Sequence, residues 1–241
     1  SGHASPFSFS TKAFAGADAY KPADMPRIDY LILTHDHWDH LDYKALQQLK
    51  PKVGQIITTL GNGAHLEHWG FDPKIITELD WWEGADFDGI RFTAAPARHF
   101  SGRGFKRNGV LWSAFVLETP GRRLFLGGDS GPGAHFQSIA DKFPGGFDLA
   151  LLECGQYNEA WPYIHMMPEE GVAAAITLGA RRLMPVHWGK FSLSMHDWDE
   201  PINRSTTEAR KHGLPVLHPM IGEVVNLDAP VETREWWKEV R

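Results

Sequence analysis

Short apolar runs alternate with amphipathic segments along most of the chain, and Gly or Pro separates many of them. The apolar runs predict strands at residues 28–34, 55–60, 74–79, 88–95, 111–119, 122–126, 147–152 and 182–185, with further short strands at Val216 and at 223–226. The amphipathic segments predict helices at residues 43–50, 62–69, 133–142, 168–178 and 205–212. This alternation favours a layered α/β architecture over an all-β or all-α fold.

Bulk properties narrow the class of protein. A chain of 241 residues is expected to form one domain, residues 1–241, since single α/β domains commonly reach this length. Its net charge of -6 argues against nucleic acid as the main partner, because phosphate binding needs a basic surface. We find no apolar run of membrane-spanning length, and Cys154 is the only cysteine, so a reducing, cytoplasmic location is expected.

The most informative segment directly follows the first predicted strand and has the pattern His-x-His-x-Asp-His at residues 35–40. Three imidazoles and two carboxylates cannot all be buried without a cation, because their desolvation would be uncompensated. Zinc, iron and manganese prefer these ligand types. In an extended loop His35 and His37 point the same way, whereas Asp39 and His40 follow a turn and can face a second ion. A polar loop with chance histidines is the alternative.

Three more candidate ligands follow later predicted strands: His99, Asp129 and His187. Each has an ordinary explanation when taken alone, such as a surface histidine or an aspartate at a strand-to-helix turn. Together they form a series at strand ends, where ligands of α/β folds gather. The series therefore favours one shared site.

The order of these motifs, from about residue 28 to residue 187, resembles the metallo-β-lactamase superfamily. The resemblance implies an α/β fold of the αββα sandwich type, here without the first N-terminal strands of related chains. It implies two divalent metal ions, with zinc favoured and manganese or iron as alternatives. Its ligand pattern assigns His35, His37 and His99 to the first ion, Asp39, His40 and His187 to the second, and Asp129 to both.

Three segments, at residues 34–42, 163–170 and 187–191, resemble more narrowly the branch that contains N-acylphosphatidylethanolamine-hydrolysing phospholipase D. This resemblance implies a phospholipase-D-like hydrolase that attacks a phosphodiester with a metal-bridging hydroxide, which Asp39 orients. A small-molecule or lipid-like ester is the expected partner. His165 is the candidate catalytic residue outside the ligand set, as a proton donor or a phosphate contact. A helix-capping or supporting role for His165 is the open alternative.

Several polar residues surround these motifs. The loop at residues 98–107 carries the basic residues Arg98, Arg103, Lys106 and Arg107. Such a loop serves either phosphate recognition or simple solvation. Asp36 and Asp42 are expected to support the ligand imidazoles. His65 and His68 have no evident carboxylate partner and are expected at the surface.

Two other functions remain open for the same ligands. One is a lactonase or other carboxylic-ester hydrolase, since a fold does not fix its substrate. A neutral or apolar pocket would favour it, whereas basic groups near the metals would favour a phosphodiesterase. The other is a diiron redox module, which bound iron would favour.

Overall fold

The computed structural model describes residues 2–5, 7, 9–17, 19–104, 107–230 and 234–240. Within them, two sheets form the centre of the molecule. The first sheet is parallel and contains β1 (Ile28–Leu33), β2 (Val53–Thr59) and β3 (Ile76–Leu79). The second contains, in spatial order, β4 (Gly84–Phe87), β5 (Ile90–Ala95), β6 (Ala114–Thr119), β7 (Arg122–Leu126), β8 (Leu149–Glu153) and β9 (Leu183–Val186). Its pairs are antiparallel from β4 to β7 and parallel from β7 to β9.

Helices cover the outer faces of both sheets. They are α1 (Tyr43–Leu49), α2 (Asn62–His68), α3 (His135–Lys142), α4 (Pro168–Thr177) and α5 (Glu200–Lys211). One apolar cluster joins α1 and α2 to the first sheet, and another joins α3, α4 and α5 to the second. A third cluster lies between the two sheets. These clusters define four layers, so the expected αββα sandwich is confirmed.

The pleat of β1 and β2 explains how one sheet serves two interfaces. Side chains alternate between the faces of a strand. Leu31 and Leu33 accordingly pack toward α1 and α2, whereas Tyr30 and Ile32 pack between the sheets. Such strands are apolar on both faces, which is why they appear in the sequence as continuous apolar runs.

Most predicted elements lie within a few residues of the observed ones, but three predictions were wrong. Residues 223–226 form no strand, and Val224 is 92% exposed there. Val216 makes only an isolated bridge, to Leu183. Helix α5 begins five residues earlier than expected, because Pro201 fits its first turn and Ile202 is fully buried.

The sequence pattern missed strand β4, because it predicted one strand at residues 88–95 where the structure has a turn followed by β5. Asp88 and Gly89 form the turn between β4 and β5, with φ values of 49° and 80°. An Asp-Gly pair with both φ values positive is typical of a two-residue β-hairpin turn. Elsewhere the predicted Pro-Gly hairpin is confirmed, since Thr119 pairs with Arg122.

The described residues before β1 are irregular apart from a short 3-10 helix at Pro22–Asp24. In the part described, they are tied down by isolated bridges between His3 and Lys12 and between Ala13 and Phe191. Across the same described ranges, every helix is too short or too polar to cross a lipid bilayer.

Candidate metal centre

The direction of the strands brings distant residues to one edge of the sandwich. Strands β5, β7, β8 and β9 run in the same direction, since β5 and β7 are both antiparallel to β6. The segments that follow them therefore meet at one edge of the second sheet. His99, Asp129 and His187 lie in these segments, and the loop after β1 meets them from the first sheet.

The first group of side chains is His35, His37, His99 and Asp129. His37 Nδ1 lies 3.0 Å from His35 Nε2 and 3.1 Å from His99 Nε2. Three converging imidazole nitrogens cannot all hydrogen-bond to one another, because a neutral imidazole has only one N–H donor. A tetrahedral ion that binds nitrogen at about 2.0–2.1 Å separates its ligand nitrogens by about 3.3 Å. The two distances from His37 Nδ1 are close to that value.

The second group is Asp39, His40, Asp129 and His187. Asp39 Oδ2 lies 3.2 Å from His187 Nε2 and 3.4 Å from His40 Nε2. His40 Nε2 is buried and has no hydrogen-bond partner among the described residues, although Asp129 Oδ2 is only 3.2 Å away. Two polar atoms that lie this close without forming a hydrogen bond suit a site in which both atoms bind the same cation.

Asp129 Oδ2 connects the two groups. It lies 3.8 Å from His35 Nε2 and 3.7 Å from His99 Nε2 on one side, and 3.6 Å from His187 Nε2 on the other. All seven residues that the sequence predicts as ligands are therefore brought together, and their chemistry fits a pair of divalent ions.

The pKa shifts of the residues in the site also fit bound cations. Burial alone would raise the pKa of Asp129, but the neighbouring His187 and His40 hold it well below its usual range. Burial alone would lower the pKa of His40, but Asp129 and Asp39 raise it to about 10. Conversely, burial and the charge of His40 hold the pKa of His35 well below the ordinary histidine value. The two carboxylates thus favour positive charge between them, and His35 is held in the neutral form that binds metals.

His165 lies beside both groups, paired with a residue that sequence reasoning missed. Its Nδ1 is 2.6 Å from Glu153 Oε2, and the same oxygen is 3.6 Å from His187 Nδ1. Burial alone would lower the pKa of His165, but Glu153 raises it above the usual value. The sequence did contain a signal for Glu153. It stands at the end of an apolar strand, and His99, Asp129 and His187 also come after apolar strands.

The polar residues around the ligand loop differ from expectation. Asp36 Oδ1 accepts a hydrogen bond from Gly102 N at 2.6 Å, and its Oδ2 lies 3.7 Å from His65 Nε2. The expectation that His65 lacks a carboxylate neighbour was therefore wrong, whereas His68 is exposed as expected. Asp42 accepts hydrogen bonds from the first amides of α1, so it serves as a helix cap.

The described basic residues of the loop at 98–107 make mainly structural contacts. Arg98 donates to Pro132 O at 2.9 Å and lies over the Tyr163 ring.

Arg103 donates to Asp36 O at 2.8 Å and to Leu41 O at 2.7 Å. Arg107 lies over the Phe100 ring, and Lys106 is outside the described residues. Because Arg98 and Arg103 donate to backbone carbonyls, the structural role is favoured for both.

Two cavities open beside the ligand groups. The smaller, of about 170 Å³, is lined by residues that include His37, Asp39, Trp161 and His165. The larger, of about 580 Å³, adjoins Asp39, His40 and His187 and has mainly apolar walls. Those walls include Met184, Trp188, Phe191, Leu193, Ile221 and Trp236. A substrate with an apolar substituent therefore has space next to the proposed ligands.

Comparison with known proteins identifies the family. The family model described as the beta-lactamase superfamily domain matches residues 8–188. The chain belongs to this superfamily, as its motifs predicted.

An uncharacterized protein of Mycobacterium tuberculosis is 41% identical over 224 residues, which cover 90% of this chain and 59% of that protein. N-acyl-phosphatidylethanolamine-hydrolyzing phospholipase D 1 of Caenorhabditis elegans is 30% identical over 208 residues, covering 78% of this chain and 58% of that protein. The chain thus spans about three fifths of the length of these relatives. A metallo hydrolase from the archaeon Ignicoccus hospitalis has a similar fold, with a TM-score of 0.66, 21% identity, and coverage of 83% of this chain and 79% of that one.

Proposed function

We propose that this protein is a binuclear metal-dependent hydrolase that cleaves a phosphodiester, in the manner of a phospholipase D. The observation that carries the proposal is the position of Asp129 Oδ2, which lies within 3.8 Å of ligand-type nitrogens in both groups. A carboxylate between two sets of imidazoles suits a pair of divalent ions of the kind that two-metal hydrolases use.

The ligands divide between the two ions as their distances suggest. His35, His37 and His99 would hold one ion, Asp39, His40 and His187 the other, and Asp129 both. We propose zinc, with manganese or iron as alternatives, because imidazole and carboxylate suit all three. When bound, the ions supply an activated water at neutral pH and positive charge for the developing charge on the substrate.

The remaining chemistry belongs to the side chains. Asp39 Oδ2 faces His40 and His187 and lines both cavities, so Asp39 would accept a hydrogen bond from the attacking water and orient it. His165 lines the smaller cavity with Nδ1 occupied by Glu153. Its Nε2 would donate a proton to the leaving oxygen, which is the role of a general acid.

The choice of a phosphodiester rests on the relatives and on the cavity. The Caenorhabditis elegans relative is named as a phospholipase that hydrolyses an N-acyl phospholipid. The apolar cavity beside Asp39, His40 and His187 would accept the apolar part of a lipid-like ester. The name of the relative thus favours the phosphodiester, whereas the cavity indicates only that the ester carries an apolar part.

A lactone or other carboxylic ester is the second candidate, and a specific observation favours it. Arg98 and Arg103 each use one guanidinium nitrogen to bind backbone carbonyls, so the contacts that these two side chains make are structural ones. The larger cavity is mainly apolar, as a neutral ester would require.

Metal analysis combined with a hydrolysis assay tests both candidates. The protein is purified without added metal, analysed for elements, and assayed on bis-p-nitrophenyl phosphate and on a series of lactones. We expect about two zinc ions per chain, the stoichiometry of a two-metal site, and loss of metal and phosphodiester turnover in Asp129→Ala. Asp72→Ala is the matched control, because its carboxylate caps a short helix at Lys74 N.

Each outcome of this assay has a definite meaning. Lactone turnover without phosphodiester turnover would replace the first candidate by the second. Two irons together with oxygen reduction would favour the diiron redox function. A chain that binds no metal even after zinc is added would refute the proposal as a whole.

A further inference from the structure

Glu153 is a buried carboxylate whose two oxygens serve different partners. It ends β8 with only 1% of its surface exposed. A carboxylate at such a position is costly unless hydrogen bonds compensate for its desolvation. Oε1 accepts a hydrogen bond from Ser130 N at 2.6 Å. Oε2 lies 2.6 Å from His165 Nδ1 and 3.6 Å from His187 Nδ1.

Glu153 approaches the His187 imidazole from the side opposite to the proposed ions. His187 Nε2 faces Asp39 and Asp129, so Nδ1 is the nitrogen left for Glu153. The backbone of His187 is itself unusual, with a φ of 66°, which a non-glycine residue rarely adopts. His187 Nδ1 is buried without a hydrogen-bond partner among the described residues, and Glu153 Oε2 lies 3.6 Å from it, just beyond hydrogen-bond distance. A carboxylate at the remote nitrogen of a ligand imidazole is the usual group that orients such a ring.

We propose that Glu153 is a positioning residue that holds the rings of His165 and His187 through their Nδ1 atoms, so that Nε2 of each ring faces the reaction site. One carboxylate thereby aligns a proposed metal ligand and the proposed proton donor. The role of His165 in catalysis rests on the proposed function, whereas the two Nδ1 contacts do not.

The alternative is that Glu153 only satisfies the backbone amide of Ser130. Glu153→Gln separates the two roles, because a carboxylate accepts hydrogen bonds on both oxygens but an amide accepts on only one. If the amide oxygen faces Ser130 N, its NH₂ group faces His165 Nδ1 and cannot accept the proton there. If the amide group is turned the other way, its NH₂ group faces Ser130 N, and two donors then face each other without an acceptor.

Nitrogen-15 NMR of the zinc-loaded full chain, labelled at histidine, tests the proposal directly. We expect a downfield proton signal on Nδ1 of His165 and an Nδ1–H on His187, assigned with His165→Asn and His187→Asn. In Glu153→Gln we expect the downfield His165 signal to disappear. Elemental analysis and kinetics on the most responsive ester accompany the spectra, and we expect kcat to fall about 10- to 100-fold with a smaller change in KM.

Glu78→Gln is the matched control. Its carboxylate also accepts hydrogen bonds from backbone amides, those of Gly61 at 2.7 Å and Gly63 at 2.8 Å, but it has no imidazole partner among the contacts described. We expect this variant to keep the His165 signal and kcat. An equal loss in both variants would assign Glu153 to general stability and overturn the proposal.

The wild-type spectrum is decisive even if Glu153→Gln does not fold. An unprotonated Nδ1 on His165 in the wild-type protein would overturn the proposal, and so would a downfield signal that persists in Glu153→Gln. If the expected spectra are obtained but no phosphodiester is cleaved, the proposed substrate class fails and the positioning role stands.

Discussion

The backbone of Gly131 lies directly against the carbonyl group of Tyr163, so closely that a Cβ atom on residue 131 would overlap that carbonyl. On the other side of the same segment, His99 Nδ1 hydrogen-bonds Ile164 O at 2.8 Å. The segment that carries His165 is therefore held between the loop that follows β7 and the loop that follows β5. Its position depends on a glycine that makes this close approach possible.

Gly131→Ala tests this contact. The φ of Gly131 is not in the left-handed region, so the effect of the methyl group is steric. We expect the segment with His165 to move away and kcat to fall about 100-fold, because small displacements of a catalytic group have effects of this size. Kinetics and elemental analysis measure the change.

The control for this change is Gly121→Ala, which adds the same methyl group in a hairpin turn where nothing lies within 4 Å. We expect its kcat and metal content to match those of the wild-type protein. If Gly131→Ala also retained full activity, the close packing of Gly131 against Tyr163 would be unimportant for the site.

The proposed ligands could be predicted from the sequence because each follows an apolar strand. Strand ends of an α/β sheet meet at one edge, so the motifs at His99, Asp129 and His187 could be assembled before any contact was known. The spacing within residues 35–40 is local and needs no tertiary information. This is why all seven expected ligands lie in the two groups.

The supporting contacts could not be predicted in the same way. Glu153 follows a strand, but only the tertiary structure brings its carboxylate to His165 and His187. Arg103 donates to two backbone carbonyls, which have no signature in the sequence. The stack of Trp188 on Trp236 joins residues far apart in the chain, at a ring-centroid distance of 5.6 Å. Such contacts depend on how layers pack rather than on local pattern.

His165→Gln separates proton donation from metal binding. His165 is in neither of the two groups that contain the seven proposed ligands, although Glu153, His165 and His187 form a third cluster of ligand-type side chains. Since the seven proposed ligands are unchanged in this variant, we expect it to keep its metal while kcat falls about 100- to 10,000-fold, the usual range for loss of a general acid. Elemental analysis and steady-state kinetics give the two values. We expect the loss to be smaller for a substrate with a better leaving group, which needs less protonation.

His196→Gln provides the comparison for His165. His196 Nε2 accepts a hydrogen bond from Gln156 N at 2.8 Å, so it is a histidine with a structural partner. We expect the kcat of His196→Gln to depend on the leaving group in the same way as the kcat of the wild-type protein. A His165 variant with the same leaving-group dependence as the wild-type protein would contradict proton donation by His165.

Arg103→Lys tests the structural role of the basic loop. The Arg103 guanidinium lies 3.9 Å from the centre of the Trp38 ring and donates to the carbonyls of Asp36, within the ligand motif, and Leu41, directly after it. A lysine cannot reproduce this planar stacking with two directed donors. We therefore expect weaker metal binding and a lower melting temperature, with KM for a phosphodiester nearly unchanged in the metal-loaded variant.

Arg107→Lys is the paired control, since the Arg107 guanidinium lies over the Phe100 ring in the same loop. We expect little change in its metal affinity, measured by competition with a chelator. A large rise in KM for Arg103→Lys at full metal loading would instead assign Arg103 to phosphate recognition.

His135 makes the stability of the fold depend on pH. Its Nε2 lies 3.0 Å from Ser130 Oγ, and burial together with the charge of Arg98 lowers its pKa from 6.5 to about 4. Between these values the unfolded chain binds a proton that the folded protein does not, so protonation favours unfolding. This contribution is absent above pH 6.5, grows as the pH falls toward 4, and then levels off.

His135→Gln should therefore reduce the loss of stability in acid, because the amide is neutral at every pH and can still hydrogen-bond Ser130. We expect its melting temperature to fall less than that of the wild-type protein between pH 7.5 and pH 5, at equal zinc concentration, within the window that the two pKa values define. The proposed metal ligands titrate in both chains, so the difference between the two chains reports on residue 135. His212→Gln, an exposed change directly after α5, controls for loss of a histidine as such. Parallel curves for the wild-type protein and His135→Gln would show that His135 is protonated alike in the folded and unfolded states, contrary to its burial.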